Sequence, residues 1–364
     1  MRMIVTCGGT GGHITPALAI ADTVKMNDPH AEILFVGSER GMENTLVREG
    51  GYEMQTLRVE GISRSLSPKN FRALYFAVSA VGEAKRLIRA FLPDIVIGTG
   101  GYACYPTLRA AAMLKVPCAV HESNAVPGLA VKRLAAKVDR VWLNFDAAKK
   151  ELPRAAKTLT VGNPLPIGYR QGGGALRLPE GCNRMVLSFG GSLGARELNR
   201  AVLDLMERER ALANVYHCHA TGKREYDRFC VEFKARGLTE CRNLEVLPFI
   251  NDMPRRMAAA DVVICRAGAM SISEIAAAKC AAVLIPSPNV TGDHQYKNAK
   301  VLADAGAACL VSEDRLKDGE LCETVLSLLD SKEKRRALSS AVSAFAHPHA
   351  NRLIYEDIKK LIKQ

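Results

Sequence analysis

The strongest constraint on this chain is a pattern that occurs twice. Met3 to Cys7 reads as a short apolar strand. Gly8-Gly9-Thr10-Gly11-Gly12-His13 follows, and then Pro16 to Lys25 carries Leu18, Ala21 and Val24 at helical spacing. Met185 to Phe189 repeats the strand, Gly190-Gly191-Ser192-Leu193-Gly194-Ala195 the turn, and a segment through Leu198, Val202 and Leu205 the helix. Further echoes lie downstream of each. Asp94-Ile95-Val96-Ile97 precedes Gly98-Thr99-Gly100-Gly101, and Asp261-Val262-Val263-Ile264 precedes Cys265-Arg266-Ala267-Gly268, both running into Ala-rich helices. Pro117 to Val120 then precedes His121-Glu122, and Ala282 to Ile285 precedes Pro286. Two halves of alternating strand and helix predict an α/β protein of two Rossmann-like domains, with ligands at the carboxyl ends of parallel strands.

At 364 residues and 48% hydrophobic content the chain can fill two cores, and 5% aromatic content means Ala, Val, Leu and Ile must fill them. The helix-stopping run Gly162-Asn163-Pro164-Leu165-Pro166 places the junction, giving domains 1–163 and 164–344. The terminal segment 345–364 is expected to be a helix packing back on the first domain. Eleven scattered cysteines without a Cys-x-x-Cys pair argue for reduced thiols and against a disulfide framework or zinc site. His217-Cys218-His219 alternates faces of a strand, so its members cannot converge on one metal, and it reads as structural. No metal site and no cofactor are expected.

A net charge of +12 implies an anionic partner: nucleic acid, an acidic membrane surface or a phosphorylated substrate. One Trp and nine Tyr offer little for base stacking and no RNA-reading signature is present, so nucleic acid is not expected as a partner. Met3 to Ala21 is uncharged, but its glycines and Pro16 rule out a spanning helix or signal peptide, and the protein should be soluble or peripheral. Between Lys69 and Arg89, Phe71, Leu74, Tyr75, Val78 and Val81 share a stretch with Arg72, Lys85 and Arg86, as a basic amphipathic helix at an anionic membrane requires. Lys132, Arg133, Lys137 and Arg140 add charge in the same domain. A packed helix with a solvated basic face is the plain alternative.

Glycine-rich turns that open helices offer backbone N–H groups and the positive helix end to an anion. Neither turn is a P-loop or a dinucleotide fingerprint, since no Lys-Ser/Thr follows and Ile14 stands where a third glycine would be. Six motifs nevertheless occur in a telling order. They are Gly8-Gly9-Thr10-Gly11-Gly12-His13-x-x-Pro16, Gly98-x-Gly100-Gly101-Tyr102-x-x-x-Pro106, His121-Glu122-x-Asn124, Gly162-Asn163-Pro164, Gly190-Gly191-Ser192-x-Gly194-Ala195-Arg196 and Arg266-x-Gly268-Ala269-x-x-x-x-Glu274. In these the chain, over about residues 3 to 350, resembles the MurG family of bacterial cell-wall glycosyltransferases. The resemblance implies the GT-B architecture, two Rossmann-like domains facing each other across a cleft.

It also implies an activity: inverting transfer of GlcNAc from UDP-GlcNAc to the MurNAc 4-hydroxyl of an undecaprenyl-pyrophosphoryl muramyl peptide, lipid I to lipid II. The work would be done peripherally at the cytoplasmic face of the bacterial plasma membrane, against an anionic surface. Gly191, Ser192 and Asn199 would lie near the nucleotide's phosphates and ribose, Ile250 would read the uracil edge by its backbone, and Glu274 would accept the ribose hydroxyls. Ala269, Met270 and Arg266 would face the leaving diphosphate, replacing the metal clamp that an Asp-x-Asp motif, absent here, would hold. Gln295, and on the first domain Thr10, Gly11, Gly12 and Asn124, complete the donor contacts. The acceptor pyrophosphate would lie over the Gly9 to Gly12 turn, with Tyr102 and Asn124 also on its side. His13, expected to be neutral at a helix N-terminus, is the candidate general base, with Glu122 as rival and helix capping as the alternative. Three positions depart from the family: Pro166 where Arg is common, which leaves Arg170 as a substitute cation, Leu193 for Gln, and His294 before Gln295. A UDP-GlcNAc 2-epimerase of the same architecture, or a nonenzymatic nucleotide-binding membrane scaffold, are the competing functions.

Overall fold

A computed structural model of the chain describes all residues except 60–68, 154, 156, 171–175, 192–193 and 364, and leaves undescribed the side chains of 69–78, 170 and 291. Ser192, Leu193, the Arg170 side chain and the side chains of Lys69, Phe71, Arg72, Leu74, Tyr75 and Val78 therefore lie outside the described residues. The chain divides into two compact units, Met1–Pro166 with His347–Gln364, and Ile167–Ala346.

The first unit is a seven-stranded, all-parallel sheet of β1 (Arg2–Thr6), β2 (Glu32–Ser38), β3 (Glu53–Leu57), β4 (Ile95–Gly98), β5 (Cys118–Glu122), β6 (Arg140–Leu143) and β7 (Thr158–Thr160). Its spatial order is β3-β2-β1-β4-β5-β6-β7, so the winding reverses between β1 and β4. Successive side chains point to opposite faces, and the inner strands β1, β2, β4, β5 and β6 are buried on both. Ile4, Leu34, Val36, Val96 and Val120 fill one layer with Ala84, Ile88, Leu108 and Leu134. Met3, Val5, Phe35, Ile97 and Trp142 fill the other with Ile14, Ala17, Ile20 and Val24.

The second unit repeats the plan with β8 (Arg184–Phe189), β9 (Val215–Ala220), β10 (Leu244–Leu247), β11 (Val262–Cys265), β12 (Ala281–Leu284) and β13 (Cys309–Leu310). These strands are again all parallel, in the order β10-β9-β8-β11-β12-β13, with the reversal between β8 and β11. His217 and His219, two apart on β9, do share a face. The Ser188 hydroxyl lies 2.7 Å from both His217 Nε2 and His219 Nδ1, and His217 Nδ1 pairs with buried Glu209. Burial, with His217 beside it, holds the His219 imidazole down at about 3, so it stays neutral. The group is a polar plug inside the core, and no cluster of three metal-ligating side chains occurs among the described residues.

Three local expectations are revised by packing. The first helix starts at Gly11 rather than near Pro16 and runs to Asn27, taking Gly11, Gly12 and His13 into its first turn. Glycine's weak helix propensity is overridden because Ile14, Ala17 and Ile20 bury behind it. The helix Lys69–Phe91 buries Ala80, Ala84 and Ile88 at i, i+4 and i+8, and Val81 packs partly into the same layer instead of joining an outward apolar face. Arg140 is withdrawn from the basic surface, since it is buried against Asp357. No helix among the described residues is long and apolar enough to cross a membrane.

The C-terminal helix Ala350–Ile362 closes the first unit's second layer with Ile354, Ile358 and Leu361. Asp357 accepts from Arg140 Nε at 2.7 Å and from Trp142 Nε1 at 2.8 Å, and Asn351 bonds Thr23 and both backbone groups of Leu165. Removing one partner of a buried, hydrogen-bonded ion pair strands the other charge. Asp357→Ala should therefore lower unfolding free energy by about 3 to 5 kcal/mol in urea melts. A loss below about 1 kcal/mol would mean that solvent reaches Arg140.

Candidate active site

In the first unit the turns after β1, β4 and β5 lie side by side on the sheet's carboxyl edge, at the reversal of winding where open α/β sheets bind ligands. The turn after β1 is exposed at Gly9 and Thr10, and a side chain at Gly9 or Gly11 would meet nothing within 4 Å. The Thr10 carbonyl accepts the N–H groups of His13 and Ile14, opening the helix. The turn is not a simple nest of free donors, however. The Gly9 N–H points inward and donates to Glu43 Oε2 at 3.0 Å, so Gly9 cannot offer it to an anion.

Glu43 is the residue that sequence reading missed. It is fully buried, and its other oxygen accepts from the Ser38 N–H at 3.0 Å and the Ser38 hydroxyl at 2.6 Å. Burial alone would raise its pKa, but the hydrogen bonds from Ser38 and Gly9 outweigh this and hold the carboxyl below its ordinary value. A Cβ at Gly8, Gly37 or Gly41 would strike it at 2.6, 2.7 or 1.9 Å, so three glycines form its cradle. A carboxylate two residues after Gly41 was the available signal, legible only once the strand ends are brought together.

His13 stands in the first helical turn. Its Nδ1 lies 3.0 Å from the Gly8 carbonyl, and a carbonyl can only accept, so Nδ1 carries the hydrogen and Nε2 presents its lone pair. Nε2 has no protein partner among the described residues. The Thr99 hydroxyl holds the His13 carbonyl at 2.7 Å. The turn after β4 fits around the ring, because a Cβ at Gly100 would meet the imidazole at 2.5 Å and one at Gly101 the Gly8 carbonyl at 2.3 Å, both at positive φ. His121 behind the site is buried and donates from Nε2 to the Gly162 carbonyl, and desolvation lowers it to about 4.

Glu122 is differently employed. Its Oε1 accepts the Asn124 N–H at 2.9 Å and the Asn124 amide at 3.0 Å, and its Oε2 the Gly128 N–H at 2.8 Å. It fastens the turn after β5 and, being buried, faces its own loop. Asn124 is thereby positioned through Glu122, while Tyr102 stands 58% exposed beside the glycine turn.

In the second unit the turns after β8, β11 and β12 occupy the equivalent edge. Gly191 opens onto free space. Asn199 is buried in the helix Arg196–Glu209 and donates its amide to the Thr221 carbonyl at 2.9 Å, leaving Oδ1 as its unpartnered atom. The Ile250 side chain is buried, which fixes its backbone in the loop after β10. Gln295 accepts the Ser287 N–H at 2.8 Å and keeps its amide N–H groups to donate. Ala269 and Met270 open the helix Ala269–Ala278 behind Gly268.

Arg266 departs from expectation. Its guanidinium pairs with Glu313 and reaches the carbonyls of Ile285 and Pro286 at 3.3 Å, so it braces the loops after β11 and β12 and is not a free cation for a diphosphate. Glu274 lies on the helix Ala269–Ala278, where desolvation raises its carboxyl to about 8. The neighbouring Tyr169 phenol opposes that shift in part, though its hydroxyl makes no hydrogen bond of normal geometry.

Two doubly wound parallel units, each with a glycine turn at its reversal of winding, define the two-domain glycosyltransferase architecture called GT-B. The chain belongs to glycosyltransferase family 28: residues 3–143 match that family's N-terminal domain and residues 185–354 its C-terminal domain. It is 38% identical, over its whole length and 99% of the relative's, to the UDP-N-acetylglucosamine–N-acetylmuramyl-(pentapeptide) pyrophosphoryl-undecaprenol N-acetylglucosamine transferase of Acetivibrio thermocellus. The crystal structure of Acinetobacter baumannii MurG is similar at a TM-score of 0.77 and 28% identity, with 99% of each chain covered. UDP-GlcNAc 2-epimerase from Neisseria meningitidis, solved with UDP-GlcNAc bound, reaches a TM-score of 0.68 at 11% identity over 99% of this chain and all of the other, a likeness of fold alone.

The charge on Glu274 leaves a mark on stability. Its folded-state value of about 8 lies above the ordinary 4.5, so its contribution is complete below about 4.5 and is lost as pH rises through 8. Glu274→Gln keeps the shape and removes the titration. Its melting temperature relative to the unsubstituted protein should be higher at pH 8.5 than at pH 5.5, read by calorimetry, and an equal difference at both pH values would place the carboxyl in solvent.

Proposed function

We propose that this protein is an inverting glycosyltransferase that moves GlcNAc from UDP-GlcNAc to the 4-hydroxyl of MurNAc in an undecaprenyl-pyrophosphoryl muramyl peptide, completing the disaccharide unit of peptidoglycan. The observation that carries the reading is His13, held as the Nδ1–H tautomer by the Gly8 carbonyl with Nε2 unpartnered beside an open glycine turn. Nε2 takes the proton of the muramyl hydroxyl as that oxygen attacks the anomeric carbon. The bond from that carbon to UDP breaks, the configuration inverts, and UDP departs with the electron pair. Glu122, engaged by Asn124 and Gly128, is the weaker candidate for the base and serves to shape the acceptor loop with Asn124 and Tyr102.

The second unit takes the donor. Glu274 receives the ribose hydroxyls, the Ile250 backbone meets uracil, and Gly191, Asn199 and Gln295 contact the nucleotide-sugar. Charge developing on the departing diphosphate is met by N–H groups at the start of the helix Ala269–Ala278, with Ala269 and Met270, and Arg266 acts by bracing that turn. The first unit receives the lipid-linked acceptor, its pyrophosphate against Thr10, Gly11 and Gly12. The protein works peripherally at the cytoplasmic face of the plasma membrane on an anionic surface, with nucleic acid no partner. Exposed Arg86, Arg89, Lys132, Arg133 and Lys137 supply basic groups for that surface.

Labelled UDP-GlcNAc with the lipid acceptor should give lipid-linked disaccharide, while UDP-GlcNAc alone should give nothing; appearance of the 2-epimer would make the protein an epimerase. His13→Ala should lower kcat about a hundredfold to ten-thousandfold, with calorimetric UDP affinity unchanged, whereas Glu274→Ala should weaken UDP. Near-normal kcat in His13→Ala, with activity abolished in Glu122→Gln, would transfer the role of base to Glu122.

Membrane attachment is tested by flotation. The protein should rise with anionic liposomes at low salt and be released as salt increases, since each basic residue at the surface contributes about 1 kcal/mol within a Debye length. Replacing Phe71, Leu74 and Tyr75 by Ser should weaken flotation further, and indifference to both changes would remove this face as the membrane contact.

A further inference from the structure

We infer that Glu43 is a positioning residue for His13, acting through one peptide group: the Gly8–Gly9 peptide donates its N–H to the Glu43 carboxylate and accepts the His13 Nδ1–H on its carbonyl oxygen. The inference rests on the reading of His13 as the base. Both bonds measure 3.0 Å, and they belong to the same planar unit. In a trans peptide the N–H and C=O point in opposite directions, so carboxylate, peptide and imidazole form a single line of hydrogen bonds. A carboxylate that accepts from the N–H polarises the amide and makes the carbonyl a better acceptor at its other end. The Gly8 oxygen is then more negative than an ordinary carbonyl, which fixes the tautomer that bares Nε2 and stabilises the imidazolium that forms when Nε2 takes the hydroxyl proton.

In the familiar arrangement a carboxylate touches the base directly. Here the charge is set back by one peptide. Glu43 takes no proton in the reaction, and Nδ1 keeps its hydrogen throughout.

The surroundings fit this role. The cradle of Gly8, Gly37 and Gly41 admits the carboxyl, and Ser38 holds the second oxygen from both its N–H and its hydroxyl. The other ionisable groups near the line are Cys7 just after β1, Cys104 after β4, and His121 and Glu122 on β5. Burial pushes Cys7 well above the ordinary thiol range, with Glu43 adding to the shift, and pushes Cys104 up to about 12, so both remain neutral thiols. His121 is kept uncharged by burial, and Glu122 faces its own loop. Glu43 is thus the anion aligned with the His13 ring.

Glu43→Gln in the full chain is the test, with Ser38→Ala as companion because it removes one hydrogen bond from the other carboxylate oxygen and leaves the Ser38 N–H bond and the bond to Gly9 in place. Glu43→Gln should lower kcat about 10- to 100-fold, leave the KM for UDP-GlcNAc within about twofold, and shift the His13 ring nitrogen NMR signals toward the Nε2–H tautomer. Ser38→Ala should change kcat by less than about threefold. In a His13→Ala background Glu43→Gln should have no further effect. A further tenfold fall in that background, an unchanged tautomer in folded Glu43→Gln, or an equal loss in Ser38→Ala would each overturn the relay. Retained kcat in His13→Ala alone would instead overturn the assignment of the base, so the two failures are told apart.

Discussion

Everything in this molecule follows from strands that all run the same way. A parallel neighbour can be reached only by crossing over a face of the sheet, so each strand needs a helix behind it and each sheet is covered on both sides. The carboxyl ends then gather on one edge. Where the winding reverses, between β1 and β4 and again between β8 and β11, successive helices depart to opposite faces and the turns beneath them are left uncovered. The glycine turns of both units sit at these two points.

What the first of those turns does is decided by a buried charge. Glu43 lies under the first turn as a true carboxylate, because Ser38 and Gly9 supply three hydrogen bonds that more than offset desolvation. Glu274, on the helix that follows β11, lacks such a set of donors, and desolvation wins. Near neutrality Glu43 is thus ionised while Glu274 is held largely protonated. The difference is one of hydrogen-bond supply, since burial opposes ionisation in both. Arg266 and Arg140 show the converse: each is satisfied by a carboxylate, Glu313 or Asp357, and each is thereby removed from the surface chemistry that a bare count of basic residues would give it.

The fold was legible because hydrophobic runs bounded by glycine are local signals. Ile95-Val96-Ile97 and Val262-Val263-Ile264 announce buried strands whatever surrounds them, and the order of turns placed both crevices. Helix starts were less legible. Gly11 and Gly12 read as loop by propensity, and only the burial of Ile14 and Ala17 on the sheet draws them into the helix. Among the candidate site residues, His13 could be placed from its motif, but its tautomer needed the Gly8 carbonyl, and the inward turn of the Gly9 N–H needed Glu43.

The sequence by itself determined the two parallel units, their glycine turns, the family and the residue types available at each crevice, since strand, turn and helix patterns are written within a few residues of chain. Tertiary structure alone decided which of those residues are free to act. Glu43 is 34 residues from Gly9, Glu313 is 47 from Arg266 and Asp357 is 217 from Arg140, and each contact exists only after the strands align. Whether a charge is exposed, paired or neutralised depends on the donors and the water around it, and those are set by folding, not by neighbours in sequence.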